Sequence, residues 1–187
     1  MSQSQALRHA IFLDRDGTIN KEVNYLCTPD QFELLAGAAE TIAWWNTHNW
    51  IVVLVTNQAG IGRGLFSRQD LEAVHKRMTV ELSRRGAHLD AIYYCPHHPD
   101  EGCKCRKPGT LLFEQAAEEL GIDLKKSFLI GDKLTDVLPA RQLGANAILV
   151  KTGYGEEESR HLPLVRDFKV EVVADLSAAK DLIIGRV

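Results

Sequence analysis

The stretch IFLDRDGTIN, residues 11–20, decides the fold class. It completes a short apolar run, HAIFL (9–13), which is typical of a buried strand because it ends abruptly at charged residues. Asp14 and Asp16 therefore stand just after a strand, and Gly17 lets the chain turn away. A second run, WIVVLV (50–55), is apolar and largely β-branched, which suits a strand covered on both faces of a parallel sheet.

Outward from these two runs, strands and helices alternate along the chain. Ser67 and Asp70 form a capping-box pattern before a helix whose apolar residues recur on one face, and Gly121 suits the end of a later helix. Alternation of this kind predicts an α/β fold, a three-layer Rossmann-like parallel sheet with helices on both faces. The further predicted strands are 90–94, 127–131, 146–150 and 170–176, and the predicted helices are 38–49, a helix after Ser67, 112–120, 134–143 (kinked or broken near Pro139) and 177–184; residues 153–168 are interpreted as a surface excursion.

Composition limits the classes of function. The 187 residues suit one compact domain, predicted over residues 1–187, and 45% of them are hydrophobic. A net charge of -3 offers no broad basic face for nucleic acid, and no apolar run approaches the ~20 residues of a membrane helix. The first residues lack a signal-peptide pattern, so a cytoplasmic protein with reduced cysteines is expected. No feature demands an oligomer, and a monomer is expected.

Polar residues follow four of the predicted strands, in DRDGT, TNQ, RKP and GDKLTD. The carboxyl ends of parallel strands share one edge of the sheet, where ligands bind. Asp14, Asp16 and Asp132 are therefore predicted to converge on one Mg²⁺. Acidic residues are also common in ordinary turns, but a second acidic pair, Asp132 and Asp136, at another strand end favours a site.

Two residues offer groups that hold a transferring phosphoryl group. Thr56 follows the second strand and offers a hydroxyl and a backbone N–H, and Lys107 follows the third and offers a positive charge. A single lysine is usually a solvated surface residue. Lys107, however, directly follows a loop that is rich in metal ligands.

That loop reads CPHHPDEGCKC (95–105) and contains three of the four cysteines. Cys95, His97, Cys103 and Cys105 make a closed set of four zinc ligands, typical of a structural site. His98 competes with His97 on spacing alone. A redox pair is disfavoured because C-x-x-C is absent, and Cys27 lies far away in sequence.

The four motifs, in this order at strand ends, resemble the signatures of the haloacid dehalogenase superfamily of phosphotransferases. The resemblance implies that Asp14 is a nucleophile that forms an aspartyl-phosphate and that Asp16 is the general acid and base. It implies that Thr56 and Lys107 stabilise the phosphoryl group. No segment between the motifs is long enough to fold as a cap domain, so a capless member is expected.

The resemblance also implies how Mg²⁺ is held. The ligands would be the Asp14 side chain, the Asp16 backbone carbonyl and Asp132. Lys133 would contribute to the metal site through its backbone, and Asp136 would support it from outside.

The cysteine loop narrows the resemblance to the histidinol-phosphatase-like branch, and within it to enzymes that dephosphorylate a heptose bisphosphate for lipopolysaccharide core or surface glycans. Arg106 could grip the second phosphate in bidentate fashion. The loop EVNY departs from that branch because it lacks a glycine before Tyr25. The resemblance implies these substrate-binding residues: Asp14, Arg15, Asp16, Glu22, Val23, Asn24, Tyr25, Thr56, Asn57, Gln58, Ala59, Arg106 and Lys107.

Two other functions are compatible with part of the sequence. A histidinol-phosphate phosphatase shares the fold, the motifs and a similar zinc loop, but its substrate is a cationic amino alcohol. A zinc-knuckle nucleic-acid binder would need a basic face with stacking aromatics, and would leave the four acidic motifs unexplained. The sequence favours a sugar bisphosphate as substrate and leaves its anomer open.

Overall fold

The structure is a computed structural model that describes residues 7–164 and 168–186. Its centre is a sheet of six parallel strands: β1 (Ala10–Leu13), β2 (Ile51–Asn57), β3 (Ala91–Cys95), β4 (Phe128–Gly131), β5 (Asn146–Val150) and β6 (Val170–Val173). Their order in the sheet is β3-β2-β1-β4-β5-β6. The first strand therefore lies in the middle of the sheet, β2 and β3 extend it to one edge, and the chain then crosses to the other side, which leaves a crevice beside β1.

Helices cover both faces of this sheet. They are α1 (Ala38–Thr47), α2 (Ala59–Gly62), α3 (Arg68–Ser83), α4 (Leu111–Leu120), α5 (Leu134–Val137), α6 (Pro139–Leu143), α7 (Gly155–Glu158) and α8 (Leu176–Ile184). Short 3₁₀ helices lie at Pro29–Gln31, Pro99–Glu101, Leu124–Lys126 and Ser159–Leu164.

The core has two halves because side chains alternate along each strand. In β1, Ile11 and Leu13 pack with α1, α3 and α8 around Trp45, whereas Phe12 packs on the other side with α4 around Phe113. The rings of Phe12 and Phe113 meet edge to face at 5.4 Å. The predicted α/β class with three layers is confirmed.

Several predicted boundaries move, each for a local reason. Strand β2 continues through Asn57 because its last residues still pair with β3. The last strand ends at Val173 rather than residue 176, because Asp175 caps α8 by accepting a hydrogen bond from the N–H of Ala178 at 2.9 Å. The predicted helix 134–143 is divided into α5 and α6 at Pro139, which lacks an N–H.

The segment after β2 contains a short helix, α2, that was not predicted. Its two glycines permit close packing: a Cβ on Gly60 would lie 2.0 Å from the Phe66 ring, and one on Gly62 would lie 2.2 Å from the backbone nitrogen of His98. Helix α2 thus packs directly against the cysteine loop. Between residues 14 and 127, all of which the structure describes, the chain forms only elements of this domain and no inserted cap domain.

The surface excursion at residues 153–168 contains α7 and a 3₁₀ helix, and residues 165–167 lie outside the described part. The prediction that no signal peptide is present rests partly on residues 1–6, which also lie outside it. Within the described residues, every helix is too short or too polar to cross a membrane.

Candidate active site

A cavity of about 370 Å³ opens at the carboxyl edge of the sheet. Eleven of the thirteen predicted substrate-binding residues line it, from the loop after β1, the end of β2 and the loops after β2 and β3. Of the other predicted residues, Arg15, Lys107 and Asp132 are buried behind its wall. The cavity is lined by Asp14, Asp16, Glu22, Val23, Asn24, Tyr25, Leu26, Thr56, Asn57, Gln58, Ala59, Arg106, Lys133, Thr135, Asp136 and Tyr154.

Asp14 lies in this cavity and is held by Lys107. The lysine ammonium donates to Asp14 Oδ1 at 2.7 Å and to the carbonyl of Val55 at 2.7 Å, and it lies 2.8 Å from Asp136 Oδ1. These three partners account for all three hydrogens of the ammonium. Burial opposes the charge of Lys107, but Asp136 and Asp14 together raise its pKa. Asp14 therefore faces the cavity as an oriented carboxylate with a fixed counter-charge.

Three carboxylates form a cluster that fits a divalent cation. Oxygens of Asp14, Asp132 and Asp136 lie within 4.8 Å of one another. Asp132 is fully buried, and its Oδ1 has no hydrogen-bond partner among the described residues. Burial, with Asp136 and Asp14 nearby, raises the pKa of Asp132 to about 8. Such crowding is costly without a cation, and oxygen ligands of this kind suit Mg²⁺.

Two glycines allow the backbone to approach Asp132. A Cβ on Gly17 or on Gly153 would lie 2.2 Å from Asp132 Oδ2, and both glycines have positive φ values of +79° and +56°. The same oxygen accepts a hydrogen bond from the N–H of Tyr154 at 2.8 Å. The loops after β1 and β5 thus enclose one side of the acidic cluster and leave Oδ1 for a ligand.

Asp16 is oriented by a separate network. Arg15, whose side chain is fully buried, donates from Nε at 3.1 Å and from Nη2 at 2.7 Å to the two oxygens of Asp16. Asn20 and Gln58 donate at 3.0 and 3.3 Å. The amide of Gln58 also donates to Thr56 Oγ1 at 3.0 Å, so it links the loops after β1 and β2. The side chain of Arg15 therefore positions Asp16 and does not itself line the cavity.

The cysteine loop brings all four predicted ligands together. The sulfurs of Cys95, Cys103 and Cys105 lie 3.3–3.5 Å apart, and His97 Nδ1 lies 3.1 Å from Cys105 Sγ. His98 faces elsewhere: its Nδ1 accepts from the N–H of Asp100 at 3.2 Å. This four-residue cluster could hold a zinc ion, and Cys27 lies outside it.

The end of that loop is fastened to β2. Asn57 donates to the carbonyl of Lys107 at 3.1 Å and accepts from its N–H at 3.0 Å. The peptide bond between Lys107 and Pro108 is cis. Arg106 lines the cavity wall, and its Nη1 is buried with no hydrogen-bond partner among the described residues. A guanidinium in a cavity wall suits an anionic ligand.

Three residues that line the cavity were not predicted from the sequence. Tyr154 follows β5, and Leu26 and Thr135 also line the cavity. For Tyr154, the one feature of the sequence that could have indicated a place in the site is its position after β5, because the carboxyl end of β5 lies at the same edge of the sheet as the four motifs. Tyr25 has a φ of 55°, a left-handed conformation that its loop adopts without a glycine.

Comparison with known proteins agrees with this geometry. Residues 104–179 match the family model described as HAD-hydrolase-like. A crystal structure of D,D-heptose 1,7-bisphosphate phosphatase from Bordetella bronchiseptica, complexed with magnesium and phosphate, superposes with a TM-score of 0.87 at 35% identity, covering 96% of this chain and 99% of that one. The fold and the site define a phosphatase of the haloacid dehalogenase superfamily, a phosphoric monoester hydrolase.

Curated relatives narrow this class. D-glycero-β-D-manno-heptose-1,7-bisphosphate 7-phosphatase of Pasteurella multocida (strain Pm70) is 40% identical over 94% of this chain and 95% of its own length. The enzyme of the same name from Photorhabdus laumondii is 42% identical over 77% of this chain and 81% of its own. The chain belongs to the D-glycero-β-D-manno-heptose-1,7-bisphosphate 7-phosphatase family.

Proposed function

We propose that this chain removes the 7-phosphate of D-glycero-β-D-manno-heptose 1,7-bisphosphate, in the synthesis of nucleotide-activated heptose for lipopolysaccharide core or surface glycans. The observation that carries the proposal is a cavity lined by the proposed nucleophile and, from a different loop, by a guanidinium. Asp14, which is held by Lys107, and Arg106 both line it. A substrate with two phosphates uses both, and the names of the relatives support the choice of sugar.

The chemistry follows from the roles of Asp14 and Asp16. Lys107 binds Asp14 Oδ1, which leaves Oδ2 to attack the phosphorus. As the bond from phosphorus to the sugar oxygen breaks, Asp16 donates its proton to that oxygen. Asp16 then takes a proton from water, and the water oxygen attacks the aspartyl-phosphate. Inorganic phosphate leaves, and Asp14 is again a carboxylate. Thr56 lines the cavity beside Asp14 and donates to the phosphoryl oxygens.

The metals are part of the same proposal. Asp14, the backbone carbonyl of Asp16 and Asp132 would hold Mg²⁺, with the Lys133 backbone and Asp136 in support. When bound, Mg²⁺ neutralises charge on the phosphoryl oxygens. The unpaired Oδ1 of Asp132 supports this assignment.

Zn²⁺ would be held by Cys95, His97, Cys103 and Cys105, with no open position for water. Its role is structural, because it fixes the loop that delivers Arg106 and Lys107.

We further propose that all of this belongs to a single domain, residues 1–187, that acts as a cytoplasmic monomer on small molecules and binds neither membrane nor nucleic acid. The net charge of -3 and the four unpaired cysteines support this setting. Size-exclusion chromatography with light scattering tests the monomer.

The proposed function is tested by a comparison of rates. Phosphate release with Mg²⁺ is measured on both anomers of the heptose bisphosphate, on histidinol phosphate and on fructose 1,6-bisphosphate. We expect the highest kcat/KM on the β anomer. A higher value on histidinol phosphate, or no release from any of the four, would overturn the proposal.

A further inference from the structure

Tyr154 is a cavity residue without a role in the chemistry above. It follows β5, 43% of it is exposed, and it lines the cavity. Its backbone N–H is already used, because it donates to Asp132 Oδ2 at 2.8 Å. Its side chain is therefore free to serve a separate purpose.

The ammonium of Lys133 lies over the ring of Tyr154 in a cation–π contact. Nζ of Lys133 lies 4.4 Å from the ring centroid and 3.3 Å from Glu22 Oε2. The side chains of Lys133 and Glu22 are only 38% and 20% exposed, and a cation over a ring is held more firmly where water is partly excluded. Burial opposes the charge of Lys133, but Asp132 and Glu22 raise its pKa above the ordinary value.

This arrangement places positive charge on both sides of the nucleophile. Arg106 comes from the loop after β3 and Lys133 from the loop after β4, and β1, with Asp14 at its end, lies between β4 and the β2–β3 pair. Both cations line the cavity. Lys107 has no hydrogen left to donate, so Lys133 is the lysine that can still reach an incoming phosphate.

We propose that Tyr154 is a positioning residue: its ring, together with Glu22, holds the Lys133 ammonium against the cavity wall, where it binds the anionic end of the substrate. The inference rests on the proposed function for the identity of that substrate. It differs from a role in which Tyr154 itself stacks on the sugar, because here the effect of the ring passes through Lys133.

Two variants of Tyr154 separate the ring from the bulk of the side chain. Tyr154→Leu removes the ring and should raise KM for the bisphosphate about three- to tenfold, the range expected for a partly desolvated cation–π contact, while kcat changes less. Tyr154→Phe keeps the ring and should recover most of that loss. The half-saturating Mg²⁺ concentration should be unchanged in both, because the N–H to Asp132 belongs to the backbone.

A double-mutant cycle with Lys133→Met tests the coupling. If Tyr154 acts through Lys133, Tyr154→Leu has no further effect on KM once Lys133 is gone. An equal loss in both backgrounds would overturn the proposal and assign the ring a direct contact with the sugar. A KM for Tyr154→Leu equal to that of the wild type would also overturn it, as would a shift in Mg²⁺ dependence that accounts for the whole effect.

A binding measurement separates this inference from the proposed function. Orthophosphate is titrated calorimetrically into the wild type and the three variants of the cycle in the presence of Mg²⁺. We expect the same pattern in Kd as in KM. If the wild type hydrolyses no sugar phosphate but the pattern in Kd appears, the proposed function falls and the inference stands. If orthophosphate does not bind, or binds without the pattern, the inference falls whatever the enzymatic activity.

Discussion

The ammonium of Lys107 lies 2.7 Å from Oδ1 of Asp14, across 93 positions of sequence. This contact joins the loop after β3 to the end of β1. It is held from both sides, because Asn57 fastens the backbone of Lys107 and Val55 accepts from its ammonium. The cysteine loop, the cation and the proposed nucleophile therefore form one connected unit, and each part can be removed separately.

Removal of the proposed nucleophile is the first test. Asp14→Asn should reduce phosphate release by at least about a thousandfold, because an amide cannot form the aspartyl-phosphate. The fold should survive, since Lys107 keeps its contacts with Asp136 and with the carbonyl of Val55. Phosphate release and circular dichroism check the two statements, and Asp30→Asn, at an exposed position of a 3₁₀ helix, is the matched control. Normal turnover by Asp14→Asn would exclude the role of nucleophile.

The affinity for Mg²⁺ should depend on pH through Asp132. Burial, then Asp136 and Asp14, raise the pKa of its carboxyl to about 8, so below that pH a proton must leave before the metal binds. We expect affinity to rise about tenfold for each pH unit between pH 6 and pH 8, as one proton is released, and then to level off. Calorimetric titrations of Mg²⁺ at several pH values measure this. An affinity that does not change between pH 6 and pH 8 would contradict it.

The stability of the Mg²⁺-free protein should show the opposite trend. A carboxyl whose pKa is raised on folding favours the folded state at low pH, and that contribution is lost as the pH rises through the folded value. In buffer without Mg²⁺, and with Zn²⁺ left in place, the melting temperature should therefore fall between pH 5 and pH 8, and added Mg²⁺ should restore more of it at the higher pH. Thermal melts with and without Mg²⁺ record both effects. A Mg²⁺-induced gain that shrinks with rising pH would count against the acidic cluster as the site.

Arg106 should matter for the second phosphate. Arg106→Ala removes a charge-assisted contact, so KM for the bisphosphate should rise about 10- to 100-fold, and KM for a sugar monophosphate should change little. Lys104→Ala is the control, because Lys104 is exposed on the same loop and does not line the cavity. Steady-state kinetics on both substrates decide the matter. Equal effects on the two substrates would remove Arg106 from the second phosphate.

The zinc cluster should stabilise the loop rather than act in catalysis. Cys103→Ser removes one of the four proposed zinc ligands, so the amount of bound zinc should fall. The melting temperature should fall as well, by roughly 2–4 °C for each kcal/mol of unfolding free energy that is lost. Cys27→Ser is the matched control, since Cys27 lies outside the cluster. Elemental analysis and thermal melts measure both quantities. A zinc-free wild type with an unchanged melting temperature would refute the structural role.

Sequence patterns predicted most of the sheet because buried parallel strands read as continuous apolar runs between polar ends. The same patterns predict that Asp14, Asp16, Thr56 and Asp132 lie at one edge of the sheet. Spacing could not choose between His97 and His98, and only the turn of the loop brings His97 to the sulfurs. The single-domain organisation stays a prediction.

Other features escaped the patterns because tertiary packing determines them. Helix α2 has two glycines in four residues, a poor helical composition, and it forms where those glycines meet Phe66 and the cysteine loop. Tyr154 belongs to no motif, and its role depends on an ammonium from another loop. The full hydrogen bonding of Lys107 likewise depends on three partners that are distant in sequence: Asp14 after β1, Val55 in β2 and Asp136 in α5.

The central claim is that the chain cleaves the 7-phosphate and leaves the 1-phosphate in place. Phosphorus NMR of a reaction with the β-heptose 1,7-bisphosphate and Mg²⁺ tests it directly, because the two esters give separate signals. We predict that the 7-phosphate signal is replaced by inorganic phosphate while the anomeric 1-phosphate signal persists. Loss of the 1-phosphate signal first, or no change in either signal, would contradict the claim.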